Sequence, residues 1–302
     1  MIEVFLSFSA WGRQAPAGGP YLQTSSDLSQ ALLGVGDPAP VAVINQDGRA
    51  PALLVCEHAG RAVPAALNRL GLADDAFARH VAWDIGAEAV ARIMAEALDA
   101  PLVIQRYSRL VVDCNRPAAA PDVMPAVSDG VVVPGNRDLD AAGRSARWDA
   151  IHAPFHAEVA ACLDAALARG RVALVTIHSF TPALATVGLP RPWHIGLLAR
   201  ETRLAHPLMD RLLAERPGLV AAFNEPYRIT DPGDYTIPVH AEPRGVPHVL
   251  VEIRNDLIAE TDGQRDWAAL MTRALAAVLP TVLEQPVLEP SGIERDPCQD
   301  PT

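Results

Sequence analysis

The chain has 302 residues, half of them hydrophobic, so it is long enough to bury a sizeable core. Its formal charge is −11, with 36 acidic against 25 basic side chains, which argues against a nucleic-acid partner because no bulk positive field is available to neutralise phosphates. No apolar run approaches the ~18 residues of a membrane-spanning helix, so no membrane partner is expected either.

Residues 1–40 are punctuated by Gly18-Gly19-Pro20, Gly34 and Pro38-Ala39-Pro40, and read as an N-terminal extension of loops with a short helix near Leu28 to Leu33. The start lacks a basic segment and Glu3 interrupts it, so it is a poor signal peptide and a cytoplasmic enzyme is expected. Val41 to Asn45 reads as a strand, with Asp47-Gly48 turning it into a hairpin with the next, Leu53 to Cys56. That second strand leads into Glu57-His58-Ala59-Gly60. Short helices are expected at 65–70 and 74–82. Between Ile85 and Leu98 apolar residues recur at three- and four-residue steps, which predicts a helix, with Asp84 where an N-cap belongs.

Pro101 to Ile104 and Leu110 to Cys114 read as strands, the latter ending on Asn115-Arg116-Pro117. Residues 118–143, rich in Pro, Gly and Asp, predict a long surface excursion of the kind that often forms a lid. A helix over 144–169 follows, carrying His152 and His156 on one face. Strands are expected at 173–179, ending on His178, at 193–198 and at 249–253. Helices are expected at 204–215 and 267–283. Strands alternating with helices predict an α/β fold in three layers, a mixed, mostly parallel central sheet flanked by helices. Residues 41–284 read as a single catalytic domain and 285–302 as a polar, Pro-rich tail. Cys56, Cys114, Cys162 and Cys298 form no CxxC pair and read as reduced thiols.

His58 and His178 each close an apolar strand, where α/β sheets bind ligands, and two such histidines begin a metal site. Asp84 is the favoured third ligand. Glu57 is its rival, although alternation along a strand sends it away from His58. Glu252 stands within the apolar run Val249 to Ile253, where a carboxylate is costly unless paired or raised in pKa. It is therefore the candidate general base, with a salt bridge to Arg254 as the structural alternative. Arg109 is the candidate for steadying an oxyanion, and Asn115 with Arg116 for gripping a carboxylate. Along an extended strand Arg109 and Arg116 would stand up to ~23 Å apart, at different ends of a site. Tyr107 and His240 are further candidate substrate contacts. Arg244 or Arg254 could meet a second carboxylate.

Over residues 53–257 the chain resembles the N-formylglutamate amidohydrolase family. The resemblance is carried by EHAG, YSRLVVDCNRP, the strand ending IHS, the stretch up to His240, and VEIRND. It implies a zinc carboxypeptidase-like fold and one zinc ion held by His58, His178 and a carboxylate. It also implies Glu252 as base, Asn115 and Arg116 as carboxylate clamp, and a small substrate with a free carboxylate. Family members have Pro-His-Ala-Gly where this chain has Glu57-His58-Ala59-Gly60, and a His at the place of Asp84, an exchange that suits a metal ligand. The function implied is hydrolysis of an N-formyl or other N-acyl amino acid, such as N-formylglutamate, in amino-acid catabolism. The alternatives are a metallopeptidase or amidase of the same fold acting on another carboxylate-bearing substrate, and a catalytically silent binding protein.

Overall fold

The computed structural model describes residues 32–285. Most of the N-terminal extension, the expected helix near Leu28, the tail and Cys298 lie outside the described residues. Seven strands build the central sheet: β1 (Val41–Ile44), β2 (Ala52–Cys56), β3 (Leu102–Gln105), β6 (Ala173–Phe180), β7 (Ile195–Leu198), β8 (Ala221–Phe223) and β9 (His248–Arg254). Two short strands, β4 (Val127–Ser128) and β5 (Val131–Val132), form a separate hairpin within the excursion. The sheet order is β1-β3-β2-β6-β9-β7-β8. β1 with β3 and β7 with β9 are antiparallel, and the other neighbours are parallel. The inner strands β2, β3 and β6 are buried along their whole length, which is why they read as continuous apolar runs.

The expected hairpin between β1 and β2 does not form. The turn is present, with Gly48 N–H donating to the Asn45 carbonyl. However, Asn45 Nδ2 and the Arg49 N–H both bond the Asp99 carboxylate ahead of β3, so β3 takes the place between β1 and β2. A second correction concerns Leu110 to Cys114. These residues are fully buried but form turns, with Val111 N–H bonded to Ser108 O and Asp113 N–H to Val123 O. A buried apolar run with no strand beside it coils instead of extending.

Helices cover both faces. α1 (Ala87–Leu98), α4 (Ala205–Glu215) and α5 (Thr261–Glu284) pack over one face, against Leu54, Cys56, Val175, Ile177, Val249 and Val251. α5 is long and apolar enough to cross a membrane by composition, but its apolar stripe, including Trp267, Met271 and Leu275, is buried in this layer. On the other face α2 (Ala141–Arg147) runs through a π turn (Trp148–His152) into α3 (Ala153–Arg169). α3 covers Leu53, Val55, Val103 and Leu174. Period-two alternation brings His178 on β6 and Glu252 on β9 to this second face. They are partners in the β6–β9 register, so the two side chains stand side by side. The free cysteines among the described residues, Cys56, Cys114 and Cys162, are all buried.

Candidate active site and metal centre

His58 stands two residues beyond the end of β2. The backbone there is pressed against the segment after β3: a Cβ on Gly60 would lie 1.9 Å from the Arg106 carbonyl oxygen, so only glycine fits. The His58 carbonyl accepts the Asp84 N–H at 2.9 Å, which ties the two candidate ligands through the backbone. His178 lies inside β6 rather than at its tip, since the strand continues to Phe180. Asp84 does not cap a helix, because α1 begins at Ala87 with Gly86 in the cap position. Its carboxylate instead faces His178 Nδ1 at 2.9 Å and His58 Nδ1 at 3.4 Å, and accepts the Ser179 N–H at 3.2 Å.

One potential ligand atom from each of His58, Asp84 and His178 lies within 4.8 Å of the others, and all three residues are buried. Each imidazole is backed by a further carboxylate on its opposite nitrogen. Asp113 Oδ1 is 2.7 Å from His58 Nε2. Glu57 Oε2 is 3.0 Å from His178 Nε2, out of line for a hydrogen bond, and both Glu57 oxygens are buried without a hydrogen-bond partner among the described residues. Glu57 thus stands behind His178 while Asp84 stands between the two rings. With both imidazoles neutral, as metal ligands must be, the surrounding buried carboxylates leave negative charge that a divalent cation would offset, and the imidazole-carboxylate donor set suits one.

The charges act strongly on one another. Burial alone would neutralise His58, but Asp113 and Asp84 outweigh it and raise its pKa. Burial likewise opposes the charge on His178, and Glu57 and Asp84 raise it well above the usual value. Asp113 and Asp84 are pushed up by burial but held well below the usual carboxylate range by the neighbouring imidazoles. Glu252 differs. Burial drives its carboxyl up to about 7, Asp84 adds to this, and His178, His58 and Arg109 only partly oppose it. Its Oε2 is buried without a partner among the described residues, and Arg254 bonds Asp256 instead of Glu252. A carboxyl titrating near 7 is suited to accept and return a proton.

A cavity of about 330 Å³ opens over this cluster. Its lining includes His58, His178 and Glu252 together with Arg109, Asn115, Arg116 and Arg228. Arg109 Nη1 lies 3.3 Å from Asp84 Oδ1 and 3.4 Å from His58 Nδ1. The coiling of 110–114 is what lets Arg109 and Arg116 share one cavity, which an extended strand would have prevented. Arg116 bonds Asp122 through Nε and the Gly233 carbonyl through Nη1. Asn115 is largely committed to the protein. Its Nδ2 donates to Asp234 and its Oδ1 accepts the Tyr235 and Thr236 N–H groups, so it holds the 234–236 segment over the cavity.

Two expected contacts fall elsewhere. Tyr107 is buried with its hydroxyl donating to the Pro38 carbonyl, and His240 bonds His156 within a packed group that includes His152 and Tyr235. Neither lines the cavity. Arg244 pairs with Asp164 and Arg254 with Asp256, so neither is at hand for a second carboxylate. Arg228 lines the cavity instead, and has no ion-pair or hydrogen-bond partner among the described residues. It sits in an irregular stretch and offered no periodic signal. His80 was also missed. It stands 3.6 Å from Asp84 and lines the cavity, but the chain between them turns without forming a helix, so no helical spacing marked the pair. Asp113 had a clue in the Asp-x-Asn-Arg spacing, but its turn toward His58 exists only in the folded chain.

The family model described as FGase, N-formylglutamate amidohydrolase, matches residues 50–259. Among solved structures, a gene product from Agrobacterium tumefaciens is 41% identical, with a TM-score of 0.79, and the match covers 84% of this chain and 100% of that one. N-formylglutamate amidohydrolase from Ralstonia eutropha JMP134 is 20% identical, with a TM-score of 0.57, over 81% of this chain and 100% of that one, a likeness of fold. No curated protein sequence matches significantly. The family match spans well over half of the chain and includes each of the residues gathered around the buried His-Asp-His cluster, so the chain belongs to the N-formylglutamate amidohydrolase family.

Proposed function

We propose that the protein is a zinc-dependent amidohydrolase that removes an N-formyl or other N-acyl group from an amino acid, with N-formylglutamate as the first candidate. The observation that supports it is a single cavity lined at once by His58, His178, Glu252, Arg109, Arg116 and Arg228. His58, Asp84 and His178 would hold the ion, with Asp113 and Glu57 behind the two imidazoles. When bound, zinc would supply Lewis acidity toward the acyl oxygen and lower the pKa of a water.

The chain's own residues would do the rest. Glu252 accepts the proton of the attacking water and returns it to the leaving nitrogen, so it starts and ends the cycle as a carboxylate. Arg109, beside Asp84 and His58, steadies the negative charge that develops on the acyl oxygen. Arg116 and Arg228 hold the substrate's carboxylates, and Asn115 keeps the segment above them in place. This reading puts the protein among cytoplasmic enzymes of amino-acid catabolism, with a small carboxylate-bearing molecule as its partner. The net charge of −11 agrees with a site that attracts anions only locally.

The test is dialysis of the full chain against a chelator followed by zinc, with formate and glutamate release measured from N-formylglutamate. Release should vanish with chelation and return with zinc. Release unaffected by chelation would refute the metal-dependent reading.

A further inference from the structure

Beside the cavity of the metal centre lies a second one of about 580 Å³. His80, Arg109 and Tyr227 line both, so the two adjoin at the residue proposed to steady the acyl oxygen. Their chemistry differs. The first lobe carries the arginines Arg116 and Arg228, which suit a carboxylate. The second presents Val81, Ile85, Ala183, Leu184 and Ala185, and its lining also includes Arg79, Asn255 and several hydroxyl side chains. Its one carboxylate is already used: Asp129 accepts the Ala185 and Thr186 N–H groups at 3.0 Å each and the Thr186 hydroxyl at 2.8 Å. Asp129 and Gly130 form the tight turn between β4 and β5, both at positive φ. The excursion is thereby fastened to the loop after β6, so the apolar wall is a built feature of the fold.

The first lobe alone has the volume of a small-ligand site, for which about 300 Å³ suffices. A formyl group would leave the second lobe unused. With the carboxylate end of a substrate at Arg116 and Arg228, whatever is attached to the acyl carbon runs past Arg109 into that lobe. We infer that the second lobe receives a straight aliphatic acyl chain of several carbons, so that N-acyl amino acids with a longer acyl group are cleaved in preference to the N-formyl compound. This rests on the amidohydrolase reading above. Hydrolysis breaks the acyl C–N bond, adds the water's hydroxyl to the acyl carbon and its proton to nitrogen, and releases an aliphatic carboxylate and a free amino acid. No other reactant is needed.

The experiment compares N-formyl-, N-acetyl-, N-butyryl- and N-hexanoylglutamate on the zinc-loaded full chain. kcat/KM should rise by about tenfold or more from formyl to hexanoyl, as methylenes leave water. Leu184→Asp should abolish that gain while leaving formyl hydrolysis within about twofold. Ala183→Phe should shift the preference to shorter chains. Calorimetry on Glu252→Gln should show hexanoylglutamate binding about tenfold or more tightly than formylglutamate. Cleavage of formyl with no gain for hexanoyl, equal binding of the two, or an equal loss for both in Leu184→Asp would overturn the acyl-lobe inference and leave the amidohydrolase reading standing. Cleavage of none of the four by zinc-loaded protein would overturn both.

Discussion

Asp113 Oδ1 lies 2.7 Å from His58 Nε2, while the other nitrogen of the same ring, Nδ1, faces Asp84 at 3.4 Å. A carboxylate on one side fixes the tautomer so that the opposite nitrogen presents a lone pair. Asp113 in turn accepts the Asn115 N–H at 2.8 Å, which couples the His58-Asp84-His178 cluster to the segment bearing Arg116.

Removing that partner should loosen the ion without emptying the site. Asp113→Asn is expected to weaken zinc binding by about 10- to 100-fold. Competition against a chromophoric chelator measures it directly, and an unchanged affinity would show that Asp113 does not orient His58.

On the zinc reading, Glu252→Gln should bind zinc as the parent chain does and lose turnover by about 10²- to 10⁴-fold. In metal-free protein the Glu252 carboxyl, raised to about 7 by burial, is protonated below that pH and ionised above it. Infrared titration of the carboxyl band, with Glu252→Gln as the blank, checks this. A base must be ionised to work, so kcat/KM falls on the acid side, and a bound cation moves that limb below 7. A variant with full turnover would remove Glu252 as base.

Arg228 is exposed at the cavity and engages no described residue, so its charge is available to substrate. Arg228→Ala should raise KM for formylglutamate about 10-fold with kcat nearly unchanged, the pattern of lost uniform binding. An equal fall in kcat and kcat/KM would place it at the reacting atoms instead.

The buried group of His152, His156 and His240 gives acid sensitivity to the fold. His156 Nε2 donates to the Cys114 carbonyl at 2.6 Å, leaving its Nδ1 to accept from His240 Nε2 at 3.0 Å, and His152 Nε2 donates to the Arg116 carbonyl. Burial lowers His152 and His240 to about 4, and His156 well below its usual value. The unfolded chain, titrating near 6.5, therefore binds more protons between those values, and stability falls as pH drops through about 6.5 to 4. His58 and His178 are raised and act with the opposite sign, favouring the metal-free fold at low pH and losing that contribution as pH rises through their folded values. Denaturant titrations at several pH values should show a shallower acid loss in His240→Gln, by roughly 1–3 kcal/mol. An unchanged slope would show that His240 is not a source of it.

Gly60→Ala should destabilise the fold by at least about 1–3 kcal/mol, since its Cβ would meet the Arg106 carbonyl oxygen at 1.9 Å and backbone cannot yield cheaply. A thermal melt of the metal-free protein reads this apart from any effect on zinc.

Most of the strand and helix pattern, the pairing of His58 with His178, and the isolated carboxylate Glu252 were legible in the sequence; the β1–β3 pairing, the turns at 110–114 and the short β8 were not. Buried strands leave continuous apolar runs, and an ionisable residue inside such a run stands out because burying it without purpose is costly. Asp84 was legible as a candidate, but its helix-cap and metal-ligand readings separate only when its carboxylate is seen between two rings. What the sequence could not show was adjacency. The register of β6 with β9 sets Glu252 beside His178. The turns of 110–114, driven by burial without a neighbouring strand, bring Asp113 under His58 and Arg116 into the cavity of Arg109. Those contacts join residues 55 to 94 positions apart, such as His58 with Asp113 and Asp84 with His178, and only packing of the whole chain makes them.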